Sequence, residues 1–152
     1  MLRNITLFLA TSVAMFAGPG DADADDWQHA AAPMGQFEGG IDTATTGVGY
    51  SCAEFYTSVS VSLKGDHVGF ATLRVDGRDI DKLRLAAGHD ASESSAEIRY
   101  SNGKTPASEK ARVNRLIRAL AGGKQFQIVT QDGYKASLSL KGSRPIESCI
   151  QF

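Results

Sequence analysis

From Gly47 onward the chain falls into short runs in which apolar and polar residues alternate. Val48, Tyr50 and Cys52 share one face of a first run, and in residues 57–64 Val59, Val61 and Leu63 alternate with Ser58, Ser60 and Ser62. Period two is the signature of a strand with one buried and one wet face. Gly65-Asp66 supplies a turn and residues 68–75 the next strand. Asp76-Gly77 is a two-residue hairpin signal leading into residues 80–85, where Leu83 and Leu85 point inward. A polar loop over 88–95 precedes a strand marked by Ala96, Ile98 and Tyr100, which ends at Ser101-Asn102-Gly103. The period then changes. Val113, Leu116, Ile117 and Leu120 recur at i, i+3, i+4 and i+7, which predicts an amphipathic helix over 106–121. Thr105 serves as its N-cap, Pro106 as its first residue and Gly122-Gly123 as its stop. Residues 125–130 form a strand with Phe126 and Ile128 on one face, and Gln131-Asp132-Gly133 turns the chain. In residues 134–141, Tyr134, Ala136, Leu138 and Leu140 alternate with Lys135, Ser137, Ser139 and Lys141, until Pro145 ends the ladder. Upstream the pattern is weaker: residues 30–40 read as a loop or irregular edge strand, residues 41–46 are ambiguous, and Trp27, the only tryptophan, is assigned to the core. The expected fold is mainly β (α+β), an antiparallel sheet or β-sandwich with one packed amphipathic helix near residues 106–121.

The N-terminus has its own logic. Arg3, a largely apolar stretch over 5–16 and Ala22-Asp23-Ala24 match the basic start, short hydrophobic segment and small-residue cleavage site of a secretory signal peptide over 1–24. The apolar run is too short to span a bilayer and no second one follows, so residues 25–152 are expected to form a single β-rich domain that does not span the membrane. Export to the periplasm or beyond also gives the only two cysteines a meaning. In an oxidising compartment, and without a C-x-x-C motif, Cys52 and Cys149 are expected to pair as a disulfide that ties an early strand to the C-terminus.

Sixteen Lys/Arg stand against seventeen Asp/Glu, and removal of residues 1–24 leaves fifteen of each. That balance excludes a general nucleic-acid binder. The distribution is uneven: residues 25–101 hold twelve acidic and six basic side chains, residues 102–152 three and nine. Arg112, Arg115 and Arg118 lie largely off the apolar stripe of the helix and form the candidate binding face, with Lys110 beside them. Guanidinium groups suit a phosphate, a carboxylate or an acidic protein patch, so the expected partner is a protein or an anionic envelope component. The alternative is that these arginines only offset the acidic half.

Reactive constellations are few. His67 follows Asp66 and His89 precedes Asp90, but chain neighbours in extended backbone point to opposite faces, so neither pair implies a base held by a carboxylate. The serines alternate with Val and Leu as wet strand faces, and no G-x-S-x-G or S-x-x-K motif occurs. Asp76, Asp79 and Asp81 form the densest group of oxygen ligands, at a spacing unlike an EF-hand loop. No catalytic residues, no metal site and no cofactor are assigned.

The order Val75-Asp76-Gly77, an amphipathic helix ending over 116–120, Gly122 or Gly123, an alternating strand, Ser139 to Ser143 and a late Cys149 resembles small Gram-negative periplasmic proteins of the invasion-associated locus B family. More loosely it resembles periplasmic accessory proteins of type VI secretion. The resemblance implies a β-sandwich without a catalytic set, and it favours a Gram-negative periplasm. Here no cysteine lies close to Trp27, where the first family usually carries them. The functional expectation is an exported, non-enzymatic interaction module. The alternatives are a small envelope hydrolase or transferase using His67 or His89, or an inhibitor of an envelope enzyme inserting the loop at 88–95.

Overall fold

The structure, a computed structural model, describes residues 26–88 and 92–152. The expected signal peptide and His89 lie outside them. Among the described residues, ten strands form two antiparallel sheets. The first, in the order β1-β2-β3-β4-β8-β7, contains β1 (Gln28–Ala32), β2 (Gln36–Asp42), β3 (Thr46–Ala53), β4 (Tyr56–Lys64), β7 (Ala86–Ala87) and β8 (Glu93–Ser101). The second, in the order β10-β9-β5-β6, contains β5 (Phe70–Val75), β6 (Arg78–Arg84), β9 (Gln125–Thr130) and β10 (Lys135–Ser139). The one α-helix among the described residues, α1 (Ala107–Gly122), links β8 to β9, and a short 3-10 helix, Arg144–Cys149, follows β10.

The inward face of each strand carries the residues that the alternation picks out. Val48, Tyr50, Cys52, Val59, Val61, Leu63, Ala96, Ile98 and Tyr100 from the first sheet, and Leu73, Leu83, Phe126, Ile128 and Leu138 from the second, join one hydrophobic core with Val113, Leu116, Ile117 and Leu120 of α1. Burying a Leu, Ile or Val side chain contributes roughly 1.5 to 3 kcal/mol. The helix stripe alone is therefore a major reason why α1 is docked. Cys52 and Cys149 form the expected disulfide, closing a separation of 97 residues.

Residues 30–40, read as a loop or irregular edge strand, take the second form, in the paired strands β1 and β2 joined by a 3-10 turn at Pro33–Gly35, with β1 at the sheet edge. Three local expectations are corrected. The strand expected from Val68 begins at Phe70, leaving Val68 exposed. The loop expected over 88–95 is shorter, because β8 already starts at Glu93 and pairs with Lys64. Thr105 does not cap the helix. Its hydroxyl donates to the Ser101 carbonyl at 3.0 Å and accepts from the Ser101 amide at 2.8 Å, which closes the β8–α1 turn, and helical geometry begins at Ala107.

Candidate functional site

The three helix arginines have different environments. Arg112 lies over β6 and grips the Asp81 carboxylate, with Nε at 3.0 and 2.8 Å from its two oxygens and a terminal nitrogen at 2.8 Å. The same guanidinium donates to the Lys82 carbonyl at 3.0 Å and lies 3.4 Å from Glu109. The Asp81 side chain is only 7 % exposed, and this partnership raises the Arg112 pKa above its ordinary value. Arg112 is thus occupied by an acidic residue from the other half of the chain, an ion pair with forked geometry. Arg115 is exposed and reaches the same carboxylate only at 3.9 Å. Arg118 is exposed and has no ion pair among the described residues.

The β5–β6 hairpin sits beside this helix. Asp76 and Gly77 take φ angles of 50° and 79°, the left-handed pair that a tight hairpin turn of this kind requires. Turning left frees the Asp76 carboxylate to accept from the backbone N–H of Gln125 at 2.9 Å and of Lys124 at 3.0 Å, and these bonds hold it below the usual carboxylate range. Asp79 pairs with Arg74 across the hairpin. The three hairpin aspartates therefore go to three different partners rather than converging on one point.

Between hairpin and helix lies a groove of about 500 Å³, with Val75, Ile80 and Gly123 among its apolar lining and Arg78 and Arg118 beside them. Close approach shapes it. A Cβ at Gly123 would fall 2.2 Å from a Val75 methyl and 2.8 Å from a Leu140 methyl, so only glycine lets the helix end meet the sheet here. Neither Arg78 nor Arg118 forms an ion pair among the described residues, and the carboxylate in the same lining is that of Asp76, whose pKa the Arg78 charge helps to lower.

His67 does meet a carboxylate, though not that of its neighbour. Its Nδ1 lies 2.9 Å from Asp132, in the β9–β10 turn, while its Nε2 faces the Lys64 carbonyl at 3.2 Å and its ring packs against Tyr134. The Thr130 hydroxyl first, and His67 second, hold Asp132 below the usual carboxylate range. The nearby Ser94 hydroxyl accepts from the His67 backbone N–H at 2.6 Å and donates to the Gly65 carbonyl at 2.7 Å. Both ring nitrogens and this hydroxyl thus hold turns together. Among the described residues Nε2 faces the Lys64 carbonyl, whereas base catalysis requires a nucleophile there.

Sequence reasoning missed two polar residues that organise the site's surroundings. Asn114, 6 % exposed in the middle of the helix stripe, donates to the Gln151 carbonyl at 2.6 Å and accepts the Gln151 N–H at 2.9 Å. His29 places Nε2 2.7 Å from the Gly142 carbonyl and bonds through Nδ1 to the Tyr50 hydroxyl. A polar residue on an otherwise apolar stripe was the available signal for the first. The second joins residues 113 positions apart and left no local trace.

Compared with known proteins, the chain matches no family model, and no curated protein or solved structure is significantly similar to it.

Proposed function

We propose that this chain is an exported, non-enzymatic interaction module of the bacterial envelope, periplasmic or secreted, which binds an anionic partner in the groove between α1 and the β5–β6 hairpin. The observation that carries the reading is the pair Arg78 and Arg118, two cations on one concave surface that form no ion pair among the described residues, while the one carboxylate in the lining, Asp76, is bonded to the backbone N–H groups of Lys124 and Gln125. Arg112 and Arg74, by contrast, are held internally, by Asp81 and Asp79. An apolar floor beside two guanidinium groups outside any ion pair suits an acidic protein patch or an envelope component whose anionic group is carried on an apolar body. The disulfide supports residence in an oxidising compartment. The reading keeps Arg118 in the groove, leaves Arg115 outside its lining beside Asp81, and reassigns Arg112 to holding the helix against β6.

The test is a quantitative cross-linking pull-down from an envelope fraction, comparing the native chain with Arg78→Glu/Arg118→Glu. Recovery of a specific partner is expected to fall about tenfold or more. Equal recovery would remove this groove as the contact surface.

A further inference from the structure

The outward face of the second sheet is basic, and the arginine groove makes no use of it. Ala71, Leu73, Leu83, Ile128 and Leu138 point into the core, so the alternate residues of β5, β6, β9 and β10 face solvent. In register across all four strands they form the row Lys135-Val129-Thr72-Lys82, with Arg84 opposite Phe70 beside it. Three strand spacings put the two lysine backbones about 14 Å apart. Lys82, Arg84 and Lys135 are exposed and form no ion pair among the described residues. The only carboxylates on these four strands are engaged elsewhere: Asp79 is paired with Arg74, and Asp81 is held by Arg112 of the helix.

The apolar content of this face is gathered at one corner. Phe70 is 42 % exposed, with the Lys82 ammonium 5.2 Å from its ring centre, and Val68 just before it is 67 % exposed. The loop that carries Val68 is fixed to the sheet. Gly69, at a φ of 85°, passes so close to the β9–β10 turn that a Cβ would fall 2.2 Å from the Gln131 side-chain oxygen. The Gly69 carbonyl accepts from the Leu85 N–H and the Phe70 carbonyl from the Gln131 N–H, both at 2.9 Å, while His67 bonds Asp132 across the same turn. Val68 is therefore held out in water by an anchored backbone, beside a row of cations.

We infer that the outward face of β10-β9-β5-β6 docks on an anionic phospholipid surface, with Val68 and Phe70 as the inserted corner and Lys82, Arg84 and Lys135 on the headgroups. Charge complementarity selects an anionic partner, and Val68 selects among anionic partners. A soluble polyanion would use the cations and stack on the Phe70 ring, but it offers nothing to a bare aliphatic side chain. A bilayer takes up all five: the surface potential of anionic lipids attracts lysine and arginine, and the interfacial zone accepts an aromatic ring and a short aliphatic chain. The contact is peripheral, and it lies on a different face from the groove of Arg78 and Arg118.

The experiment is co-sedimentation of the oxidised chain with phosphatidylcholine vesicles, pure or with about 30 % phosphatidylglycerol, at low salt and again at about 0.5 M NaCl. Binding is expected to the anionic vesicles alone and to fall at high salt. Lys82→Gln/Arg84→Gln/Lys135→Gln removes three contacts of about fivefold each, so partition should weaken about a hundredfold. The same loss of charge on other exposed faces, Arg99→Gln/Lys104→Gln/Arg144→Gln, should weaken it less than about threefold. Val68→Ser should weaken it about fivefold and leave its salt dependence unchanged. Recovery of the groove's partner in the pull-down is a separate readout, so either reading can fail alone. The inference is overturned if the chain binds neither vesicle or both equally, or if the two triple substitutions cost the same. Binding to dextran sulfate without binding to the anionic vesicles also overturns it and assigns the face to a soluble polyanion.

Discussion

Thr46 continues the inward register of Val48 and Tyr50, and at 2 % exposure its hydroxyl is the one buried side-chain oxygen without a partner among the described residues. The strand requires its branched shape and has no use for its oxygen. Thr46→Val keeps the shape and removes the stranded acceptor, so it should stabilise the chain by about 1 kcal/mol, read as an increased urea midpoint at unchanged m. Tyr50 shows the same conflict with ionisation. Burial pushes its pKa from 10.0 up to about 12. A group that ionises less readily in the fold contributes stability that is complete below pH 10 and is lost as pH rises toward 12, about 2 to 3 kcal/mol in all. Native chain and Tyr50→Phe should therefore converge in stability over that interval, because the substituted chain lacks this loss while sharing every other alkaline titration. Arg112 and Arg118 mark the limit of sequence reading at this scale. Both are basic residues off one helix stripe, and only the position of Asp81 on β6 makes one an internal tie and leaves the other free.

Among the elements, β3, β4, β5, β8, β9 and α1 were legible because their apolar residues contrast with Ser, Lys, Arg and Glu at a clean period. β1 and β2 were not, because Ala30, Ala31, Gly39 and Gly40 offer no hydrophobic contrast, and their strand character comes from pairing with β3. Thr105 misled because a residue before Pro106 resembles a cap whichever way its hydroxyl turns. The tail is the element whose role gained most. Beyond the disulfide, the Gln151 amide donates to the carbonyls of Ala53 and Tyr56 and to the Thr57 hydroxyl, which in turn donates to the Cys149 carbonyl. Loss of the disulfide in Cys52→Ala/Cys149→Ala should cost about 4 to 5 kcal/mol on the chain-entropy account, and Asn114→Ala about 2 kcal/mol by stranding two Gln151 backbone groups. Since both hold the same segment, the costs in the combined chain should fall short of their sum in a urea titration. Strict additivity would show that the tail is held as two independent pieces.

At the scale of the molecule, what joins the two sheets at their open side is the N-terminal strand. By backbone pairing β1 belongs to the first sheet, yet Trp27 Nε1 donates to the Ser139 carbonyl at 2.9 Å and His29 Nε2 to the Gly142 carbonyl at 2.7 Å, both at the end of β10 in the second. A carbonyl can only accept, so Nε2 carries the proton and Nδ1 accepts from the Tyr50 hydroxyl. Trp27, His29, Phe37 and Tyr50 then stack as one aromatic cluster with ring centroids 5.7 to 6.5 Å apart. Gly39 makes room for it, because a Cβ there would lie 2.7 Å from the Tyr50 hydroxyl. The seam is polar at its rim and aromatic behind it, so removing the imidazole leaves a Gly142 carbonyl and a buried phenol without their partner. His29→Ala should therefore loosen β1 selectively. Amide exchange over 28–32 is expected to accelerate by about a hundredfold, equivalent to about 3 kcal/mol of lost local protection, while the amides of β9 and β5 keep theirs. The indole of Trp27, the only tryptophan, reports the same event as a red-shifted emission at denaturant concentrations below the main transition. Were exchange to rise equally in both sheets with no early shift, β1 would be an integral part of one cooperative unit rather than a strap across its open side.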